Sequence, residues 1–319
     1  MKQFEISRTN EGQRFDKYLH RILSNAPMSF VYKMLRKKNF TLNDKKADGS
    51  ETLKAGDIIK IFLADDTFDK FSSSEGVNKP SEDALDISGF SEWIVYEDDN
   101  MVLINKPTGI LAQKAKDTDV SLNEYFVRYL EANGKISQED LKNYKPSVVN
   151  RLDRNTSGIV LAAKNLRTAA ILSEGLRNRT INKYYKCIVK GCFDKEGIYK
   201  GYLHKDESTN TVKISDKNDG KSDYIETGYK VLCAKDDYSE LEVHLLTGKT
   251  HQIRAHLAYL GYPIAGDMKY GDVVFNKMHK VKYQMLHSYK IVFPEYKDAL
   301  LSNISGQTFI CDKNFTISK

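Results

Sequence analysis

A carboxylate flanked by arginines is the part of this sequence best suited to chemistry. Asp153 has Arg151 two residues before it and Arg154 directly after it, and the apolar run 159–163 follows shortly. On an extended backbone Arg151 and Asp153 would share one face, while Leu152 would point into the core. Neighbouring cations favour the ionised carboxylate, which is the form that acts as a nucleophile or base at neutral pH. A structural ion pair at the start of a strand is the other interpretation that this spacing allows.

A second candidate segment joins a Gly-Lys loop to a helix that is predicted to run from Thr250, as its N-cap, to Leu260. The N–H groups at the start of a helix bind anions, so a phosphate could dock at Lys249 and Thr250. Arg254 follows one turn into this helix. If the two segments pack together, Arg254 would pair with Asp153 and hold its carboxylate in one rotamer.

A tyrosine-rich strand at 183–191 supplies a third candidate. Tyr185 and Cys187 share one of its faces, while Tyr184 and Lys186 share the other. A tyrosine that faces a cleft can stack on a base, but most tyrosines in strands are packing residues. The strand alone therefore leaves the role of Tyr185 open.

The sequence shows no pattern for metal or redox chemistry. His251 and His256 are five residues apart and have no acidic partner placed as in a zinc-binding helix. The four cysteines are spaced unlike those of a disulfide framework or a zinc site: Cys187, Cys192, Cys233 and Cys311. No nucleotide or flavin motif is present either. We therefore expect a protein that works without a metal or cofactor.

The charge of the chain favours a polyanionic partner. The 319 residues carry a formal net charge of +6, but residues 65–99 hold eleven Asp or Glu and two Lys, a balance of −9, so the remainder carries +15. A surplus of this size favours RNA as the partner. No apolar stretch approaches the roughly 18 residues of a membrane span, and residues 1–15 lack the apolar core of a signal peptide. We expect a cytoplasmic protein.

Two domains joined by a linker are predicted to position these residues. Residues 1–63 begin with two amphipathic helices, the second with Ser29 as its N-cap, and continue with short strands. Residues 64–91 are acidic, rich in serine and without periodic pattern, as in a mobile linker. Residues 92–319 alternate strands with fewer helices, which predicts an α+β domain with a mainly antiparallel mixed sheet. Its clearest helices are expected at 121–132, 165–178 and 250–260.

Residues 12–63 resemble the S-four-type RNA-binding domain. The resemblance rests on the segments QRFDKYLHRIL, FTLN and LKAGDIIKIF, which follow one another in the order typical of that domain. It implies that RNA is contacted by the basic side chains on the outer faces of the two helices: Arg14, Lys17, Lys33, Arg36 and Lys37. A solvated basic face on a small helical module is the alternative.

The three candidate segments together resemble the RluA-type pseudouridine synthases. That family has Arg-Leu-Asp-x-x-Thr-Ser-Gly, then Lys-x-Tyr, then Leu-x-Thr-Gly-Arg/Lys-x-His-Gln-Ile-Arg-x-His, and this chain has these motifs at 151–158, 183–185 and 246–256. The resemblance extends over residues 93–293. Asn150 stands where the family usually has His. We expect activity to survive this change. Positioning of the substrate is the property that we expect it to affect.

The resemblance implies an isomerase that converts uridine to pseudouridine in structured RNA without a cofactor. Asp153 would attack the anomeric carbon of the nucleotide or remove a ribose proton, and the sequence does not choose between these routes. Tyr185 would stack on the uracil and assist removal of its proton, Arg254 would pair with Asp153, and Arg151 would fill the gap left by the extruded nucleotide. Further RNA contacts would come from Arg154, Lys249, Thr250 and His251.

Large-subunit ribosomal RNA is the expected substrate, because the family acts on ribosomal or transfer RNA and an N-terminal RNA-binding module favours the former. Transfer RNA is one alternative. An inactive RNA-binding factor in ribosome assembly is another, against which Asp153, Tyr185 and Arg254 argue. Glycosidase or nuclease chemistry fits less well, since glycosidases use a second carboxylate near the first and the motif holds none. We expect a monomer.

Overall fold

The computed structural model describes residues 1–6, 10–72, 85–116, 118–137, 140–141, 144–206, 209 and 211–317. The chain divides into two compact units, one of Met1–Ile87, Val127–Pro146 and Lys164–Ala170 and one of Ser88–Phe126, Ser147–Ala163 and Ile171–Lys319. Within the described residues, no helix has the length and apolar character needed to cross a membrane. The domain limits drawn from the sequence at 63 and 91 stay predictions.

The first 63 residues form a small antiparallel sheet with two helices. The elements are β1 (Lys2–Glu5), α1 (Phe15–Ile22), α2 (Met28–Arg36), β2 (Phe40–Leu42), β3 (Lys45–Lys46) and β4 (Ile58–Ile61), and the sheet order is β1-β4-β2-β3. The predicted N-cap at Ser29 is wrong. Helix α2 begins at Met28, and Pro27 holds the N-cap position at φ −59° and ψ 144°, where it has no N–H that needs a partner.

The apolar faces predicted for both helices are confirmed. Phe15 and Leu19 of α1 and Val31 and Leu35 of α2 are almost fully buried, in one core with Ile59 of β4. Burial of these side chains is what holds such short helices in place, since helices of eight or nine residues are marginal by themselves.

The linker without regular structure that was predicted from residue 64 onward is wrong in its first part. There, Asp65–Ser72 form helix α3. Phe68 and Phe71 of this helix pack on the N-terminal core. Because the segment is acidic overall, its composition does not indicate that these two phenylalanines pack on a core. Their contact with the core holds helix α3 in place. The expected mobile stretch at 73–84 lies outside the described residues.

The second unit is built on a large mixed sheet. Its strands are β5 (Ile94–Glu97), β6 (Met101–Lys106), β7 (Ser147–Val148), β8 (Ser157–Ala163), β9 (Asn182–Lys190), β10 (Gly197–Asp206), β11 (Thr211–Ser215), β12 (Asp223–Ala234), β13 (Tyr238–Leu245), β14 (Leu286–Val292) and β15 (Thr308–Ile310). The order is β11-β10-β12-β13-β9-β14-β8-β6-β5, with β7 beside β8 and β15 beside β14. The described pairs are antiparallel except β8 with β14, so the predicted fold class is confirmed.

Further α-helices among the described residues are α4 (Leu122–Ala132), α5 (Leu166–Arg177), α6 (Gln252–Tyr259) and α7 (Val273–Met278). The first two match the predicted helices. Helix α6 begins later than predicted, and Thr250 is not its N-cap. His251 holds that position with a left-handed φ of 54°, because Gln252 Oε1 accepts a hydrogen bond from Lys249 N (3.0 Å) and folds the preceding loop into a tight turn.

A close approach of β8 to β14 fixes the region around Asp153. Gly158 has φ +110°, and a Cβ at this position would collide with the backbone of Ser288, so only glycine fits here. Ser157 and Gly158 pair in parallel with β14, and Ser288 also pairs with Tyr185 of β9. The loop that ends at Ser157 is therefore held beside both strands.

Candidate active site

Asp153 lies in a short loop that ends where β8 begins. The loop turns back because Thr156 N donates to the Asp153 carbonyl (3.0 Å), and Gln284 Nε2 holds Thr156 Oγ1 (2.6 Å). The turn follows Asp153, and an extended backbone over residues 151–153 stays a prediction. Leu152 is buried and Arg151 exposed, while the Asp153 side chain keeps 28% of its surface accessible.

Arg254 of α6 connects Asp153 to a second carboxylate. Its Nη1 donates to Asp153 Oδ2 at 2.6 Å, and its Nε and Nη2 donate to Asp267 Oδ2 and Oδ1 at 2.6 and 2.9 Å. The Arg254 side chain is 8% exposed and that of Asp267 is fully buried. Because two parallel bonds fix the plane of a guanidinium, Asp153 faces a cation of defined orientation.

No role in the site was predicted for Asp267 from the sequence. Its carboxylate also accepts bonds from Lys269 N (2.8 Å) and Tyr270 N (3.1 Å). Burial acts to raise the pKa of Asp267, but its bonds to Arg254 and the charge of that guanidinium outweigh burial and hold the pKa below its usual value. A single Asp after Gly266 has no spacing that links it to Arg254, so only the fold shows the pair.

His251, which was expected to contact RNA, also lies beside Asp153. Its Nε2 is 3.8 Å from Asp153 Oδ2, and its Nδ1 is 2.9 Å from the Tyr270 hydroxyl. Burial lowers the pKa of His251, with the charge of Asp153 acting in the opposite direction. At neutral pH the imidazole is therefore mostly uncharged. Among the described residues, no group of three or more His, Cys, Asp or Glu is placed to hold a metal ion.

Tyr185 projects from β9, between its sheet partners Val243 and Ser288. It is only 5% exposed. Burial raises the pKa of Tyr185 above its ordinary value, and the negative charge of Asp153 acts in the same direction. The phenol therefore stays protonated at neutral pH. The side chain combines an apolar aromatic ring with a polar hydroxyl group at its end.

A buried lysine ties the Asp153 loop to the chain that follows β6. Lys106 is fully buried, and its Nζ donates to the carbonyls of Pro107 (2.9 Å), Ile110 (2.8 Å) and Arg154 (3.0 Å). Burial lowers the pKa of Lys106 to about 7, whereas the three carbonyls use all three protons of the ammonium form and favour it. Since Arg154 directly follows Asp153, Lys106 fixes the backbone at the candidate reacting residue.

Replacing Lys106 by methionine is expected to destabilise the protein, because it leaves these three carbonyls without their donor. An unpaired buried polar group costs roughly 1–3 kcal/mol, so we expect a loss of at least about 3 kcal/mol and a fall in Tm of roughly 6–12 °C. Lys297→Met, at an exposed lysine after β14, is the control. Thermal unfolding followed by circular dichroism compares the two variants, and equal Tm values would contradict the role of Lys106.

The other residues predicted to contact RNA lie at the surface, some of them in ion pairs. Lys249 Nζ is 2.6 Å from Asp223 Oδ1, an exposed pair that a phosphate could replace at little cost. Arg14 pairs with Asp16 (2.8 Å). The remaining side chains are exposed: Arg151, Arg154, Thr250, Lys17, Lys33, Arg36 and Lys37. Their contacts with RNA stay predictions.

Comparison with known proteins shows which family the sequence matches. The family described as RNA pseudouridylate synthase matches residues 100–259. A protein of Mycoplasma genitalium described as an uncharacterized RNA pseudouridine synthase is 30% identical over 314 residues, which are 96% of this chain and 94% of that protein. Ribosomal large subunit pseudouridine synthase C of Vibrio cholerae is 31% identical and covers 85% of this chain, with 81% of its own length matched. Synthase D of Borreliella burgdorferi is 33% identical, with 83% of this chain and 82% of its own length covered.

The fold is shared with a solved structure, that of human RNA pseudouridylate synthase domain containing 4. The TM-score is 0.56 at 20% identity, over 71% of this chain and 90% of the human one. The match supports the α+β architecture described above.

Proposed function

Because the chain belongs to the RNA pseudouridylate synthase family, we propose that it isomerises uridine in large-subunit ribosomal RNA, with Asp153 as the reacting carboxylate. The isomerisation breaks the bond between ribose C1′ and uracil N1, turns the base and joins C1′ to C5. The C5 proton is lost and N1 gains a proton. Atoms and electrons balance without an oxidant, a reductant or a transferred outside group.

The state of Asp153 is the observation that carries this proposal. One carboxylate oxygen is held by Arg254 at 2.6 Å, and the side chain remains 28% accessible. A carboxylate that is paired with a guanidinium, oriented and reachable can attack the anomeric carbon or take a ribose proton, and the arrangement serves both routes. Tyr185, whose pKa is raised by burial and by the charge of Asp153, would contact the uracil ring.

The second carboxylate of the site does not support hydrolysis. Glycosidases place two carboxyl groups on either side of the bond that they break. Asp267 is fully buried, and both of its oxygens accept bonds from Arg254. It therefore orients the guanidinium and is not placed to act as an acid or base on a sugar, which favours isomerisation over release of free base.

Residues around Asp153 would hold the RNA. The exposed side chain of Arg151 would occupy the space of the extruded nucleotide, a step that enzymes acting on a stacked base require. Asn150, which departs from the family pattern, uses its Oδ1 to accept a bond from Leu161 N (2.7 Å). Because this contact fixes the backbone of β8, we expect activity to survive the change. The basic faces of the N-terminal module would add phosphate contacts.

Large-subunit ribosomal RNA is supported as the substrate by the names of the Vibrio cholerae and Borreliella burgdorferi relatives, which match most of this chain. The positive surplus outside residues 65–99 agrees with binding to structured RNA. Transfer RNA remains the second substrate to examine, and an RNA-binding assembly factor without activity is the outcome to be excluded.

Deletion of the gene is expected to abolish pseudouridine at specific positions of large-subunit ribosomal RNA. Carbodiimide-dependent reverse-transcriptase stops across total RNA report these positions. Wild type supplied in trans should restore the stops, while Asp153→Ala should not, because alanine has no carboxylate. Stops lost from transfer RNA would overturn the ribosomal assignment. If the stops do not change and RNA binding is retained, the synthase proposal fails and the protein is an RNA-binding factor.

A further inference from the structure

Residues 268–283, here called the arm, begin and end at the active site. Directly before the arm, Asp267 holds Arg254 through two hydrogen bonds. Directly after it, Gln284 Nε2 donates to Thr156 Oγ1 of the Asp153 loop (2.6 Å). The arm is therefore attached at both ends to residues that hold Asp153 or its loop.

The inner side of the arm is packed like a folded element. Phe275 of α7 is 4% exposed and lies in a buried apolar cluster with Ala265. Asn276 is also buried; its Oδ1 accepts a bond from Gly266 N (2.7 Å) and its Nδ2 donates to the Asp267 carbonyl (3.3 Å). These bonds reach the residues on which the geometry of Arg254 depends, so the position of the arm is coupled to that of the active site.

The outer side of the arm is unusually apolar for a surface. Five of the fourteen large hydrophobic side chains that are exposed among the described residues lie in these 16 positions. Their exposed fractions are 78% for Met268, 63% for Val273, 76% for Val274, 59% for Met278 and 58% for Tyr283. A concentration of exposed apolar side chains next to an active site indicates a binding surface.

The charge of the same surface is positive. The arm contains four lysines, Lys269, Lys277, Lys280 and Lys282, and a single carboxylate, Asp272. Asp272 is already engaged, because its carboxylate caps α7 through Phe275 N (2.9 Å) and pairs with Lys190 Nζ (2.5 Å). The arm therefore combines positive charge with apolar and aromatic groups, which is the composition that binds nucleic acid through phosphates and base faces.

We propose that the arm is a second RNA-contacting surface of this protein, which holds the strand that flanks the reacting uridine. Its lysines contact phosphates, and Tyr283 with the neighbouring apolar side chains packs against nucleotides unstacked by extrusion of the target. This inference rests on the proposed action on RNA. It assigns contacts to residues outside the motifs at 151–158, 183–185 and 246–256.

Charge reversal in the arm tests the phosphate contacts. We compare Lys277→Glu/Lys280→Glu with Lys230→Glu/Lys297→Glu, in which both replaced lysines are exposed and outside the arm. All chains carry Asp153→Asn to prevent turnover, and the probe is an unmodified full-length large-subunit ribosomal RNA transcript. The arm variant should bind about tenfold or more weakly and show a salt slope smaller by about 1.5 to 2 relative to the parent. A Kd and a slope equal to those of the control pair would overturn the proposal.

Substitution of Tyr283 tests the contact with a base. Tyr283→Phe keeps the ring and should bind RNA like the parent, whereas Tyr283→Ala should bind about fivefold or more weakly, because base stacking on an aromatic ring is lost. Equal binding by the two variants would remove the stacking contact from the proposal.

The outcomes separate this inference from the proposed function. If the wild type forms pseudouridine and the arm variants bind RNA like the control, the arm proposal fails and the synthase stands. If no pseudouridine is formed but the arm variants bind weakly, the arm contacts RNA and the synthase proposal fails. The arm substitutions are also made in a chain that keeps Asp153. Normal binding to naked RNA, combined with lost pseudouridine formation on ribosomal particles by that chain, would assign the arm to a ribosomal protein and overturn the RNA contact.

Discussion

A chain with Asp153→Asn is expected to bind ribosomal RNA normally but to form pseudouridine on the order of 10⁴-fold more slowly than the wild type, or not detectably. Asparagine has the shape of aspartate and can still accept the Nη1–H bond that Arg254 makes at 2.6 Å, so we expect the fold to survive. It lacks the negative charge with which a carboxylate attacks carbon or takes a proton. Single-turnover rates and filter binding on the same transcript separate the two effects.

Asp194→Asn is the matched control for this experiment. Asp194 is an exposed carboxylate that accepts a bond from the Tyr262 hydroxyl (2.7 Å), outside the group formed by Asp153, Arg254 and Asp267. We expect its rate and RNA affinity to equal those of the wild type. If Asp153→Asn proved as active as Asp194→Asn, Asp153 would have only the structural role that its spacing in the sequence also allows.

Replacing Asp267 by asparagine is expected to lower the catalytic rate about 10²-fold, because a small displacement of a positioning group has effects of that size. Asparagine removes the charge that balances the buried Arg254 and offers one acceptor oxygen where the carboxylate has two. The guanidinium is then held mainly by Asp153, and its orientation is no longer fixed. Breaking a buried pair also costs roughly 3–5 kcal/mol, so we expect a lower Tm as well.

Three readouts distinguish a positioning role of Asp267 from a purely structural one. Rates are measured well below the Tm of the variant, and kcat is separated from KM; the loss should fall on kcat. In a chain that already carries Asp153→Asn, Asp267→Asn should cause no further loss of rate, since it acts through Arg254 on the same carboxylate. A fall in Tm without a change in kcat would leave Asp267 as a stabilising residue only.

Local patterns made several main elements predictable, including α1, α4, α5 and the strands β8 and β9 of the large sheet. The motifs that contain Asp153 and Arg254 also indicated that these two side chains pair, which the structure shows; their roles in the reaction stay predictions. The start of α6 was not predictable, since the side chain of Gln252 folds the loop before it and displaces the N-cap from Thr250 to His251. Side-chain bonds within a loop leave no periodic signal.

Long-range partners escaped prediction for a different reason. Asp267 lies 13 residues from Arg254, and Lys106 lies 48 residues from Arg154; neither spacing has a helical or strand period. Each residue taken alone reads as an ordinary charged residue near a turn. Only the fold shows that both are buried, that Lys106 bonds to the loop of Asp153, and that Asp267 holds the arginine that pairs with Asp153.

Tritium release from RNA labelled at uridine C5 tests the central claim most directly. Isomerisation must remove the C5 hydrogen of each converted uridine and must keep the base on the RNA. We predict that the wild type releases one tritium per pseudouridine formed and no free uracil, while Asp153→Asn releases neither. Free uracil with an abasic RNA product, or no tritium release from RNA that the protein demonstrably binds, would contradict the account.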